Sequence, residues 1–170
     1  KQAGLDKMVQ YDDHPRKSLV DLFYDEGVSL DAVVSGSAVQ RGDFVEGVYE
    51  TRLRRNPERI QVQLSRQGNA SGFPIKVSKA VTLNAGSSTL EIAYLLEDLP
   101  SERPLHFAVE FNFAGMPAGA DDRYFYDAGR ARLGQLGTTL DLSDVPGVGL
   151  VDEWLGIDVG LKASRATSIW

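Results

Sequence analysis

Thr89-Leu90-Glu91-Ile92-Ala93-Tyr94-Leu95-Leu96 and Leu105-His106-Phe107-Ala108-Val109-Glu110-Phe111-Asn112-Phe113-Ala114 are the two runs whose reading decides the fold. In the first, Leu90, Ile92, Tyr94 and Leu96 alternate with Thr89, Glu91, Ala93 and Leu95, the period of two expected of a half-buried strand. The acidic, proline-containing segment of residues 97–104 breaks the pattern and reads as a connecting loop. In the second run Leu105, Phe107, Val109, Phe111 and Phe113 share one face, and His106, Ala108, Glu110, Asn112 and Ala114 the other. Three phenylalanines on one side need an apolar layer to bury against, more than one antiparallel pair supplies. The pair is therefore read as the centre of a sandwich. Its opposite face, polar at Glu110 and Asn112 between small alanines, suits a surface covered by something other than bulk water.

Working outward, residues 18–24 are ambiguous between a helical turn and a strand. Residues 44–53 read as a strand, with Val45, Tyr49, Thr51 and Leu53 on one face and an interruption at Gly47. Ile60, Val62 and Leu64 alternate cleanly with polar residues, and residues 67–72 read as a hairpin loop. Ile75, Val77, Val81 and Leu83 mark the next strand, on whose apolar face Lys79 is the odd residue. Residues 116–128 look like a loop, 133–138 like a weak strand, and 148–152 and 154–163 like two further strands. No stretch holds apolar spacings of three and four over three turns, so helix is expected to be minor. The expected fold is all-β: a large two-sheet antiparallel sandwich of seven to nine strands, without internal repeats. Residues 1–17 are expected to be a linker or surface segment and 18–170 a single domain, a fragment of a longer enzyme.

With 170 residues, 42% hydrophobic and 25% charged, the chain is long enough and apolar enough for a sizeable core. A net charge of −6 argues against nucleic acid or an anionic membrane as partner. The absence of cysteine excludes disulfides and thiolate chemistry and fits a reducing, cytoplasmic setting. No apolar run approaches the roughly 20 residues that span a bilayer.

Few residues specify chemistry. There is no phosphate-binding glycine loop, and no Gly-x-Ser-x-Gly elbow for a serine nucleophile. His14 and His106 are the only histidines. His106 and Glu110 share a strand face but stand roughly 13 Å apart along it, too far to touch. They could line one groove as base and acid, as in a sugar mutarotase; the simpler reading gives Glu110 a neighbouring arginine or amide. Asp121, Asp122, Asp141, Asp144, Asp152 and Glu153 offer hard oxygen donors but lack the spacing of a calcium loop, so no metal and no cofactor is expected. Tyr124, Tyr126 and Trp154 are candidate stacking platforms for sugar rings, Tyr124 and Tyr126 on one face if their segment is extended, with core packing as the alternative.

The order of several short motifs carries a resemblance. Tyr11-Asp12, Arg16-x-Ser18-Leu19-x-Asp21-x-Phe23, Gly42-Asp43-Phe44 with Tyr49, Phe107-Ala108-Val109-Glu110-Phe111-Asn112, Val151-Asp152-Glu153-Trp154 and Ile169-Trp170 follow one another. The series resembles the C-terminal β-sandwich domain of the alpha-amylase/4-alpha-glucanotransferase group of glycoside hydrolase family 57. The resemblance implies a supersandwich similar to galactose mutarotase, packed against a separate catalytic barrel that carries the catalytic carboxylates, so no catalytic residue is expected here. Leu22 departs from the pattern by standing where that family usually has histidine. The expected function is thus a non-catalytic accessory domain of an alpha-glucan-processing enzyme, with the catalytic barrel and α-1,4-glucan as partners. Its candidate carbohydrate-binding or docking residues are His106, Glu110, Asn112, Tyr124, Tyr126 and Trp154. The alternatives are a stand-alone mutarotase- or epimerase-like enzyme on the same fold and a structural or adhesive sandwich.

Overall fold

A computed structural model describes residues 14–113 and 116–170; most of the expected linker, and Ala114, lie outside the described residues. The chain is nearly all β, as expected, and divides into two compact units, residues 1–112 and 113–170.

In the first unit β1 (Val20–Asp25) leads to a one-turn helix α1 (Leu30–Val34), whose first turn is capped by the Ser29 hydroxyl accepting from Ala32 N at 3.2 Å. β2 (Glu50–Asn56), β3 (Arg59–Ala70), β4 (Phe73–Asn84) and β5 (Leu90–Glu97) follow as an antiparallel meander, and β6 (Leu105–Glu110) returns to pair with β1. The β3–β4 connection is only Ser71-Gly72, both at positive φ (53° and 86°), the mirror-image turn that matches strand twist. Residues 67–70, expected in a loop, therefore continue the strand.

Two antiparallel sheets meet in this unit. The β1–β6 pair lies over the four-stranded sheet, enclosing Phe23, Phe44, Ala70, Ile75 and Val77, with Tyr49, Tyr94, Leu96, Leu105 and Phe107 packed around them. The Phe23 ring is 5.2 Å from Phe44 and 5.0 Å from Phe107. Phe107 thus takes its expected core place, but β6 stops at Glu110. Its partner strand ends where Leu19, at φ 64°, turns the chain aside after donating to the Glu110 carbonyl. Phe111 is left partly buried and Phe113 is 42% exposed, which corrects the expectation that both complete the core layer.

The cover is shorter than what it covers. β3 and β4 have 12 residues each, β1 and β6 only six. Register shows the consequence row by row. Gly68–Ile75 and Arg66–Val77–Leu96 lie under the cover, and Thr51–Leu64–Lys79–Tyr94 is its last row. Leu53–Val62–Val81–Ile92 and Arg55–Ile60–Leu83–Leu90 continue the same face beyond it. Leu53 is 60% exposed and Leu90 57%, with Ile60, Leu83 and Ile92 also exposed. The alternation in residues 89–96 is real, but only Tyr94 and Leu96 reach the core. Residues 44–49 are not a strand; Phe44 enters the core from a loop bridged by Gly42 to Ala70.

The second unit holds β7 (Arg123–Tyr126), β8 (Arg132–Gln135), β9 (Leu142–Asp152) and β10 (Ile157–Ile169), ordered β10-β9-β7-β8 and antiparallel. β7 lies inside the stretch expected to be a loop. Trp154, expected in a strand, sits instead in the β9–β10 turn, where Gly156 supplies a φ of 67°. The described residues hold ten strands, one more than the upper expectation.

Candidate functional site

Lys79 stands at the row where the cover ends, with its charge inside the protein. Its ammonium donates to Asp21 Oδ2 and to the Leu19 carbonyl, each at 2.7 Å. The Tyr49 hydroxyl donates to the same Asp21 oxygen, and Lys79 Nζ lies 4.4 Å from the centre of the Tyr49 ring. Asp21 is fully enclosed; its other oxygen and the Tyr94 hydroxyl are both buried without a hydrogen bond of acceptable geometry. Burial first, then the Asp21 carboxylate, pushes the hydroxyls of Tyr49 and Tyr94 well above the ordinary phenol range. The group closes the open end of the core with charge rather than apolar side chains.

The polar face of β6 is occupied from within the chain. Glu110 accepts at Oε1 from Asn112 Nδ2 at 2.5 Å, and its Oε2 lies 3.3 Å from His14 Nε2. Asn112 also donates to the Lys17 carbonyl at 2.9 Å, and its backbone exchanges two bonds with the Ser18 hydroxyl. Together they fasten residues 14–18 to the end of β6. His106 instead stacks edge-on to Tyr24, ring centres 6.5 Å apart. The histidine at Glu110 is His14, 96 residues away in sequence, which strand spacing could not have found.

In the second unit the aromatics come with arginines. Tyr124 and Tyr126 are two apart on β7, sharing a face as foreseen for an extended segment. Arg132 lies 4.6 Å above the Tyr124 ring and Arg130 4.2 Å above Tyr126. The Tyr124 hydroxyl donates to Glu153 at 3.1 Å, and that of Tyr126 to Asp158 at 2.5 Å, where Arg130 also binds. Tyr126 is pressed on Gly149, where a Cβ would come within 1.9 Å of its Cζ. Trp154 differs: it is 76% exposed, with the Arg123 guanidinium 5.5 Å from its ring. Arg123 is held by Asp152 Oδ2 at 2.9 Å and Asp122 Oδ1 at 2.7 Å. Burial pushes the Asp152 carboxyl up, but the Leu155 amide, the Arg123 guanidinium and the Trp154 amide outweigh it and hold the group below the usual carboxylate range. These arginines were missed in the sequence, although Tyr-x-Tyr followed by Arg-x-Arg at hairpin distance was a visible signal.

The six candidate residues fall into two sets, His106, Glu110 and Asn112 in the first unit and Tyr124, Tyr126 and Trp154 in the second. Among the described residues no three acidic or histidine side chains converge on a geometry that could hold a metal ion. No described helix is long and apolar enough to cross a membrane.

Compared with known proteins, residues 1–170 match the family described as alpha-amylase/4-alpha-glucanotransferase, C-terminal. Neither a curated protein nor a solved structure gives a significant match. A nearly all-β chain matched over its whole length belongs to that family: this is an alpha-amylase/4-alpha-glucanotransferase C-terminal domain.

Proposed function

We propose that the chain is a non-catalytic accessory domain of a cytoplasmic alpha-glucan-processing enzyme and docks on its catalytic domain through the uncovered apolar end of the four-stranded sheet. Membership of a family defined by the C-terminal part of amylases and glucanotransferases implies an attached catalytic domain. The observation that supports this surface is that Leu53, Ile60, Leu83, Leu90 and Ile92, apolar side chains of two successive rows, are exposed around the half-buried Val62 and Val81. Burying each large apolar side chain is worth about 1.5–3 kcal/mol, and contiguous patches of this kind mark interfaces.

Charge narrows the occupant. Arg55, on the patch face at the open β2 edge, has no acidic partner among the described residues, in a chain of net charge −6. The surface that fits is apolar at its centre and acidic at its rim. A second copy fits worse. Stacked patch to patch with the β1–β6 layers kept apart, two sheets bring β2 over β2, and the two Arg55 side chains face each other. The Glu110–Asn112 face, which holds residues 14–18, is left out of this docking surface.

Hydrogen exchange tests the assignment. Amides at 53, 60, 83, 90 and 92 are expected to exchange more slowly in the parent enzyme than in the 170-residue chain, and Leu53→Arg with Ile92→Arg should abolish the difference. Equal exchange in both settings would place the docking surface elsewhere.

A further inference from the structure

We infer that Trp154 is a stacking platform for one glucose ring of an α-1,4-glucan, aimed outward by Arg123 and the turn that carries it. The inference rests on the alpha-glucan reading above, but on a different unit and on different residues.

An indole left 76% exposed adds little to folding, and a tight turn needs only polar residues and Gly156. Yet the turn is built rigidly around it. Asp152, itself fully enclosed, accepts from Arg123 on one oxygen and from Leu155 N on the other at 2.9 Å. Glu153 N donates to the Asp122 carbonyl at 3.0 Å, pinning the turn to the strand beside it. The guanidinium that meets the ring is thus fixed before any ligand arrives, which lowers the entropy lost on binding.

Comparison with the other aromatics singles out this ring. Tyr126 lies between Gly149 and Arg130 and is only 8% exposed, and Tyr124 is covered by Arg132. Trp154 has one guanidinium 5.5 Å from its ring and is otherwise largely exposed. A pyranose offers an apolar C–H face to such a ring and hydroxyls at its edge. Asp122 and Glu153 carry carboxylates with acceptor capacity beyond their bonds to Arg123 and Tyr124. Leu155, half exposed beside the indole, leaves a protein partner as the competing occupant.

The test titrates the 170-residue chain with maltoheptaose and with cellohexaose, following the two indole N–H signals by NMR. Maltoheptaose should shift the Trp154 signal and not that of Trp170, with millimolar affinity. Trp154→Ala should weaken binding by about tenfold or more, and Trp154→Phe should recover much of it. Arg123→Lys should weaken binding while the chain stays folded. Failure to bind maltoheptaose, equal binding of cellohexaose, or binding unchanged in Trp154→Ala would each overturn the inference. So would a Trp154 signal already shifted in the sugar-free parent enzyme, which would make the ring a protein contact. None of these outcomes bears on the exchange test of the apolar face, so the two readings fail separately.

Discussion

Among the described residues each unit buries one ion pair, and the two are built in opposite ways. In the first, Lys79 is a point charge: it shares Asp21 Oδ2 with the Tyr49 hydroxyl and leaves Asp21 Oδ1 without a partner. In the second, Arg123 forks between two carboxylates, and both oxygens of Asp152 are used. A fully satisfied pair fixes local geometry, as the Trp154 turn shows. A pair with an unmet acceptor carries a desolvation cost that its own bonds only partly offset. It is placed at the row where the apolar cover of the first unit runs out.

The largest expected effect follows from that contrast. Lys79→Met leaves Asp21 enclosed without its counter-charge and should destabilise the first unit by about 3–5 kcal/mol, whereas Asp21→Leu with Lys79→Met should return most of it. Denaturant unfolding of the single and double variants measures both. If the double variant is as unstable as the single one, the pair is an organiser like Arg123–Asp152 and the contrast collapses.

Alkaline pH should separate the units next. Tyr49 and Tyr94 have phenols raised by burial and by Asp21, so the folded state holds their protons more tightly than the unfolded state. Their contribution is fully present below the unfolded value of about 10 and is lost as pH climbs above it. Tyr124 and Tyr126 are also raised, first by their hydrogen bonds to Glu153 and Asp158 and then by burial, Tyr126 being only 8% exposed and Tyr124 more open. Phenolate absorbance should therefore rise gradually from Tyr124, whose shift rests chiefly on one exposed hydrogen bond. The first unit should hold back and then titrate in one step as it opens. A single smooth curve for all four tyrosines would remove the distinction.

The sequence made the strand pattern legible because β-strands write their faces at a period of two. The Phe107 side of β6, the Ile60-Val62-Leu64 alternation and the anomaly of Lys79 could all be read this way. What could not be read depends on where a neighbour stops. Phe113 continues the right pattern but outruns the end of β1, and Leu53 and Leu90 carry core residues past the end of the cover. Partners distant in the chain were equally hidden: Asp21 for Lys79, 58 residues apart, and His14 for Glu110. Trp154 was assigned to a strand because Leu155, Ile157 and Val159 alternate, although Gly156 marked the turn. The aromatics were named as candidates, but only the geometry shows which ring is left open.

The smallest expected effect concerns Glu110, the residue that sequence reasoning favoured. If its role is to tie residues 14–18 to β6, Glu110→Ala loses one partly exposed ion pair with His14 and the side-chain bond from Asn112. Such contacts are worth about 0.5–1 kcal/mol, because solvent competes for both partners. The Leu19 amide still donates to the residue 110 carbonyl at 2.8 Å, since that bond is backbone to backbone. Exchange at residues 16–18 should accelerate while the amides of β3 and β4 stay unchanged. A variant that instead loses maltoheptaose binding or docking, with exchange at 16–18 unaltered, would return the functional surface to the outer face of β6. The uncovered end of the four-stranded sheet would then need a different explanation.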